Sequence, residues 1–163
     1  LRNLLLHPPG AHLPEPTTEL LLYAADRAQH VSQLIIPALE KGDWVLSDRF
    51  SGSTLAYQGF GRNLDFKIIE QLEEIATAGI TPDLTLFLNI PIEESIGRRA
   101  SKVDDRIEAE GRAFLSRVAM GFSFLATKRE WVSINANQRP EKVSEMLKEE
   151  LLSYFASKKD HCA

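Results

Sequence analysis

Residues 84–90 read LTLFLNI, a nearly continuous apolar run of strand length. A run without polar alternation is typical of a strand that is covered on both faces, as in a parallel sheet. Two shorter apolar runs, WVLS at 44–47 and WVSINA at 131–136, are the other strand candidates, and helical patterns separate the three. We therefore predict an α/β fold with a parallel sheet and helices on both faces.

Helical spacing of apolar residues extends outward from these strands. The first predicted helix has its N-cap at Thr17 or Thr18 and runs to about Lys41, with a kink or a break between 33 and 36 because Pro37 interrupts the pattern. A second helix begins at Phe66 and stops at Gly79. Further helices are predicted at about 92–100, at about 108–129 and from residue 140 onward.

Length and composition bound the class of protein. With 163 residues, 44% of them hydrophobic and 26% charged, the chain is predicted to form one soluble domain over residues 1–163. No apolar run approaches the roughly 20 residues of a membrane span, and a net charge of −4 argues against a nucleic-acid partner. The single Cys162 fits the reducing cytoplasm.

Polar side chains crowd the end of the first predicted strand, in the stretch SDRFSGSTLAYQG at 47–59. In open α/β sheets ligands bind beyond the carboxyl ends of the strands. Arg49 can present its planar fork to phosphate oxygens, and Asp48 can orient Mg²⁺ or its waters. Neutral groups that suit a sugar or a base follow at Thr54, Tyr57 and Gln58. The alternative is a surface ion pair between Asp48 and Arg49, followed by an ordinary turn.

Two other segments carry side chains that can contact a nucleotide. Tyr23 and Arg27 are one helical turn apart, so they can stack on a ring and hydrogen-bond its edge. The alternative is a core aromatic with an arginine that reaches out to solvent. The stretch RRASKVDDR at 98–106 fits a mobile lid whose arginines close on a transferring phosphoryl group, or else a solvated helix end.

Four separated stretches together resemble the thymidylate kinase family in its bacterial form. They are TELLLYAADRAQHV at 18–31, WVLSDRFSGSTLAYQGFGR at 44–62, PDLTLFLNI at 82–90 and DDRIEAEGRAF at 104–114. The resemblance covers nearly the whole chain in the family's order. It implies a P-loop kinase fold and the transfer of a phosphoryl group from ATP, with Mg²⁺, to dTMP. It also implies a cytoplasmic homodimer.

The resemblance assigns roles to individual residues. It implies that Tyr23 stacks on thymine and that Arg27 hydrogen-bonds the edge of the base. Asp48 would lie near the metal and the phosphates, and Arg49 would bridge to the phosphate of dTMP. The segment STLAYQG would line the nucleoside site through Ser53, Thr54, Tyr57 and Gln58.

The resemblance also identifies a lid at about 98–110, with Arg98 at its start and Arg106 near its end as catalytic candidates. Lys102 stands where an arginine is expected, so the cation that meets the γ-phosphate is not assigned. No G-x-x-x-x-G-K-[ST] sequence occurs, although P-loop kinases bind ATP phosphates with it. In the family this loop would precede Leu1. We therefore predict an N-terminally truncated fragment that is inactive alone.

Two alternative functions stay open at this point. The chain can be a nucleotide-binding regulator or dimer partner without a P-loop, or a related kinase that phosphorylates another nucleoside or nucleotide. The combination of YAADRAQH at 23–30 with STLAYQG at 53–59 favours thymidylate as the acceptor. A P-loop encoded in frame upstream would favour the kinase over the regulator.

Overall fold

The computed structural model of the protein describes residues 14–99 and 110–159. They belong to two compact units. The first contains the described residues up to Thr81 together with 110–122, and the second contains Pro82 to 99 together with 123–159. The single domain over 1–163 therefore stays a prediction. Among the described helices, none combines the length and the apolar content that crossing a membrane requires.

Helix α1, Pro16–His30, opens the first unit. Pro16 occupies the first helical position, where its missing N–H costs no hydrogen bond, and Glu15 is the N-cap. The prediction of a cap at Thr17 or Thr18 is therefore wrong. Proline at the first position already fixes the required backbone angle, so the helix starts before the threonines.

A π-helical segment, Val31–Ile35, joins α1 to the short helix α2, Ile36–Glu40. Pro37 cannot donate a hydrogen bond to the carbonyl four residues earlier, and its ring crowds that carbonyl. Widening the helix by one residue per turn accommodates this defect without ending the helix. In place of the kink or break predicted between 33 and 36, the structure has this π-helical segment, and the helix continues to Glu40.

The predicted strand WVLS at 44–47 is wrong. Residues 43–47 have no regular secondary structure, and no strand in the described part of the chain pairs with them. Trp44 and Leu46 are 77% and 98% exposed. A strand exists only where an adjacent strand exchanges backbone hydrogen bonds with it, and an apolar pattern does not reveal that adjacent strand.

The polar stretch after this segment is largely helical. Helix α3, Gly52–Thr54, continues into a second π-helical segment, Leu55–Gly61. We call residues 52–61 the polar helical segment. Gly61 packs so closely on Phe114 of a later helix that a Cβ atom at Gly61 would lie 2.6 Å from the ring. Glycine is therefore required for this approach.

Helix α4, Phe66–Thr77, also belongs to the first unit and packs on α1. Asp65 is its N-cap and accepts a hydrogen bond of 2.7 Å from the backbone N–H of Lys67. The helix ends through Ala78 and Gly79, which both adopt left-handed backbone angles, with φ of 51° and 74°. The predicted stop at Gly79 is confirmed.

The second unit contains two parallel strands, β1, Leu86–Asn89, and β2, Val132–Asn135. Leu86 is opposite Val132 and Asn89 is opposite Asn135. The backbone N–H of Ala136 donates to the carbonyl of Asn89 at 2.8 Å, which extends the ladder beyond the strand end. The predicted α/β class with parallel pairing is confirmed, with both strands shorter than the apolar runs.

Three further helices follow the predicted pattern. They are α5, Ile92–Arg99, α6, Arg112–Lys128, and α7, Pro140–Lys159. Phe114, Val118 and Leu125 of α6 are buried, as their helical spacing predicts. Helix α7 packs on β2 within the second unit.

Candidate functional site

Helix α1 presents three polar or aromatic residues at intervals of four: Glu19, Tyr23 and Arg27. Residues spaced in this way share one face of a helix. Glu19 and Arg27, at the two ends of this row, both contact the polar helical segment 52–61. Tyr23 lies between them and is half-buried. The stretches that the sequence analysis singled out, around 23–27 and 53–58, therefore meet within the first unit.

Arg27 is held by three acceptors. Its Nη1 donates to Thr54 Oγ1 at 2.9 Å and to Glu73 Oε1 at 2.7 Å, and its Nη2 donates to the carbonyl of Phe50 at 3.1 Å. The Arg27 and Glu73 side chains are only 12% and 9% exposed. A guanidinium has five N–H groups, and these contacts use three. Within residues 14–99 and 110–159, Nε of Arg27 and the second N–H of Nη2 make no protein hydrogen bond.

Glu19 forms a second cluster at the other end of the row. It is 1% exposed, and its Oε1 accepts from Gln58 Nε2 at 2.9 Å. Arg62, which follows the polar helical segment, donates Nη2 to Glu19 Oε2 at 3.3 Å and Nε to Oε1 at 3.4 Å. Nη1 of Arg62 also forms a 2.5 Å ion pair with Glu110. Glu19 thus joins α1 to Gln58 within the polar helical segment and to Arg62 directly after it.

The ionisation of Arg62 reflects these contacts. Burial opposes the charged guanidinium, but the hydrogen bond to Glu110 and the charges of Glu19 and Glu110 outweigh it and raise the pKa of Arg62 above its ordinary value. The arginine is therefore a permanent cation. Its guanidinium carbon lies 5.0 Å from the centre of the Phe114 ring, a cation–π distance.

Arg49 adopts a left-handed backbone conformation, with φ of 64°. Its Nε donates to Ser53 Oγ at 3.3 Å, and its guanidinium carbon lies 4.8 Å from the centre of the Tyr57 ring. Asp48 is exposed, and no ion pair joins it to Arg49 within the described residues. The alternative interpretation of these two residues as a surface ion pair is therefore wrong. A strained backbone at a non-glycine residue is a feature that clusters at ligand sites.

Tyr57 has its ring anchored on helix α6. Its centroid lies 6.2 Å from that of Phe114 and 6.0 Å from that of Phe122. These tilted and edge-on contacts are the preferred geometries of aromatic pairs. Tyr57 therefore offers Arg49 a fixed surface.

Arg98 and the lid are described only in part. Arg98 belongs to the second unit, where Nη1 donates to the carbonyl of Ala136 at 3.0 Å and Nη2 to Asn137 Oδ1 at 3.4 Å. Arg98 thereby links α5 to the two residues that follow β2. Arg106 and most of the predicted lid at 98–110 lie outside the described residues. The assignment of either arginine to catalysis stays a prediction.

A polar depression of about 550 Å³ lies at the carboxyl ends of β1 and β2 in the second unit. Such strand ends are where open α/β sheets bind ligands. Its lining is rich in side-chain amides and consists of Asn89, Pro91, Ser133, Asn135, Asn137 and Gln138.

The described residues contain no group of three or more His, Cys, Asp and Glu side chains placed to hold a metal ion. Asp48 is an exposed carboxylate and is followed in the sequence by Arg49, whose guanidinium group can bind phosphate. Mg²⁺ at nucleotide sites is held through one or two carboxylates together with substrate phosphates. A single carboxylate is compatible with a Mg²⁺ ion that is held mainly by the phosphates of a nucleotide.

Sequence reasoning missed Glu19 and Glu73, which contact the residues at the two ends of the candidate site. Glu73 lies in the buried row of α4 with Ile69 and Ala76, at helical spacing. A lone carboxylate inside an apolar row is the signal that could have revealed it, because buried charges require a partner. For Glu19 the signal is its spacing of four residues from Tyr23.

The parallel strands define an α/β protein, and clusters of arginine, aromatic and amide side chains such as this one are typical of nucleotide-binding proteins of that class. The sequence profile of the family described as Thymidylate kinase matches residues 1–147. This chain belongs to the thymidylate kinase family. The predicted family is confirmed, and with it the P-loop kinase fold that characterises its members.

Curated relatives agree with this family. The chain is 64% identical over 155 residues to the thymidylate kinase of Prochlorococcus marinus strain MIT 9313, which covers 95% of this chain and 72% of the relative. It is 60% identical over 152 residues to that of Parasynechococcus marenigrum strain WH8102, covering 93% and 73%. With the thymidylate kinase of Synechococcus sp. strain CC9311 it shares 58% identity over 157 residues, covering 96% and 74%.

Proposed function

We propose that this protein transfers the γ-phosphoryl group of ATP to the phosphate of dTMP, which gives dTDP and ADP. The family and the thymidylate kinases most similar to it support this reaction. The observation that carries the proposal for the acceptor site is the 2.9 Å hydrogen bond from Arg27 to Thr54. It joins the two stretches that the resemblance assigns to base and nucleoside binding, although they lie 27 residues apart.

Recognition of the base is assigned to Tyr23 and Arg27. Tyr23 provides an aromatic face on which a pyrimidine can stack, a contact worth about 1–3 kcal/mol per base. Arg27 keeps two N–H groups for acceptor atoms on the edge of the base. Because its guanidinium is largely shielded from water, hydrogen bonds to a ligand compete less with solvent.

The sugar and the acceptor phosphate are assigned to the stretch 48–58. Arg49 uses Nε for Ser53, and both of its Nη groups are without a hydrogen bond to the described residues, which suits them to phosphate oxygens. Tyr57 holds the guanidinium from its ring face. Thr54 and Gln58 complete the set as residues that shape the nucleoside site.

Asp48 is the residue that would hold Mg²⁺ or its waters, and the ion would supply positive charge next to the phosphates of ATP. Arg98 and Arg106 are proposed as the cations that meet the transferring group. A cytoplasmic homodimer is proposed on the family resemblance alone. In this scheme the protein positions the reactants and supplies fixed positive charge, which are the main contributions of a protein to phosphoryl transfer.

The product of the complete reading frame tests this proposal. It is incubated with Mg·ATP and, in separate reactions, with dTMP, dCMP, dUMP or AMP, and the nucleotides are separated by ion-exchange chromatography. We expect dTDP and ADP in equal amounts, with dTMP preferred over the other acceptors. ATP consumption that is equal with all acceptors, or absent with dTMP, would refute the proposed reaction.

A further inference from the structure

Glu73 is a buried carboxylate that neither the resemblance nor the sequence pattern assigns to the site. It lies on α4 among Ile69, Ala76 and Thr77, all of which are buried. Burying a charge in such surroundings is unfavourable unless it is paired. Its Oε1 meets Nη1 of Arg27 at 2.7 Å, so this pair joins α4 to α1.

Glu73 is the charged member of the three acceptors that hold Arg27. Thr54 Oγ1 and the carbonyl of Phe50 are neutral and lie at 2.9 and 3.1 Å, whereas Glu73 Oε1 lies at 2.7 Å. Hydrogen bonds between two charged groups are about twice as strong as neutral ones. Glu73 therefore has the largest influence on the orientation of the guanidinium plane.

The orientation of that plane decides what Arg27 can bind. A guanidinium is planar, so fixing Nη1 and one N–H of Nη2 also fixes the directions of the two remaining N–H groups, on Nε and Nη2. These are donors only. They complement a pyrimidine that presents a carbonyl oxygen at its edge and oppose one that presents an amino group.

We propose that Glu73 is a positioning residue for recognition of the pyrimidine base. It holds Arg27 so that the two remaining N–H groups select an acceptor nucleotide with a carbonyl at position 4 over one with an amino group there. This inference rests on the proposed function, because it takes Arg27 as the residue that contacts the base. Glu73 itself acts through Arg27 and does not touch the nucleotide.

The test measures binding of dTMP and dCMP to the product of the complete reading frame by isothermal titration calorimetry. Glu73→Gln keeps the side-chain shape but removes the charge, and Glu74→Gln removes the exposed carboxylate of the next residue as the matched control. We expect Glu73→Gln to weaken dTMP binding about tenfold, to reduce the ratio of dTMP to dCMP affinity, and to leave ATP binding unchanged. Glu74→Gln should change none of these.

A double variant separates positioning from general stability. In an Arg27→Ala background, Glu73→Gln should cause no further loss of dTMP binding, because the arginine through which it acts is gone. The positioning role would be overturned if Glu73→Gln weakened dTMP binding as much in the Arg27→Ala background as it does in the otherwise unsubstituted protein. An unchanged preference for dTMP over dCMP in the single variant would also overturn it. If Glu73→Gln loses its helical circular dichroism, Glu73→Asp replaces it, since it keeps the charge and shortens the reach. An unchanged preference in a folded Glu73→Asp would also overturn the role.

Failure of the proposed function is recognised separately. If the unsubstituted protein does not bind dTMP, the acceptor assignment is wrong and the positioning role has no basis. If it binds dTMP normally and Glu73→Gln behaves in the same way, only the role of Glu73 is rejected. Whether the unsubstituted protein binds dTMP therefore distinguishes the two failures.

Discussion

Replacing Glu19 with alanine is expected to lower the free energy of unfolding by about 2–4 kcal/mol. Glu19 is 1% exposed and accepts hydrogen bonds from Gln58 at 2.9 Å and from Arg62 at 3.3 and 3.4 Å. Leaving the buried amide of Gln58 without its acceptor costs about 1–3 kcal/mol. Breaking a buried ion pair costs about 3–5 kcal/mol. Arg62 contributes less than that range, because its bonds to Glu19 are long and it keeps Glu110 at 2.5 Å.

The assay is urea unfolding followed by far-ultraviolet circular dichroism, with the free energy extrapolated to water. Asp26→Ala is the matched control, because it removes an exposed acid from the same helix α1. We expect the control to stay within about 0.5 kcal/mol of the unsubstituted protein. Glu19→Gln, which keeps an acceptor oxygen, should lose less stability than Glu19→Ala. A loss below about 1 kcal/mol for Glu19→Ala would show that the cluster does not stabilise the first unit.

Three further predictions concern packing and ligand contacts. Gly121→Ala should lower the free energy of unfolding by about 1–3 kcal/mol, because its Cβ would lie 2.7 Å from the ring of Phe60. Gly97→Ala, a helical glycine with open space around it, should instead raise it by about 0.5–1 kcal/mol, and melting curves of both variants check the contrast. Arg49→Lys keeps the charge but loses the planar fork, so kcat/KM for dTMP should fall at least about tenfold, or roughly 1.4 kcal/mol, with little change in melting temperature. Unchanged kinetics with a lowered melting temperature would mark Arg49 as structural. Tyr23→Ala should weaken dTMP binding by about 1–3 kcal/mol in calorimetry and leave ATP binding unchanged, and equal weakening of both would mark Tyr23 as a core residue.

The sequence predicts those features that depend on local pattern. The helix that stops at Gly79, the irregular turn before Pro37 and the apolar strand that contains Leu86 all follow from residues within a few positions of one another. Each has a local physical cause: a left-handed C-terminus, a missing N–H or a continuous apolar run. The stop at Gly79 and the strand are confirmed, and a π-helical segment precedes Pro37 in place of the predicted kink or break.

Features that depend on distant residues could not be predicted in this way. The stretch 44–47 has the composition of a strand, but a strand also needs an adjacent strand to pair with, and composition does not show whether one is present. The partners of Arg27 and Arg62 lie 46 and 43 residues away, at Glu73 and Glu19. Helical spacing shows that each acid shares a face with other residues, but it does not reveal which side chain the tertiary packing brings against it.

A crystal structure of the complex with dTMP tests the central assignment most directly. We predict the thymine ring stacked on the Tyr23 side chain, a carbonyl oxygen of the base within about 3.2 Å of a guanidinium nitrogen of Arg27, and the phosphate at the Nη groups of Arg49. A nucleotide bound away from the polar helical segment, or with its base out of contact with both Tyr23 and Arg27, would contradict the account.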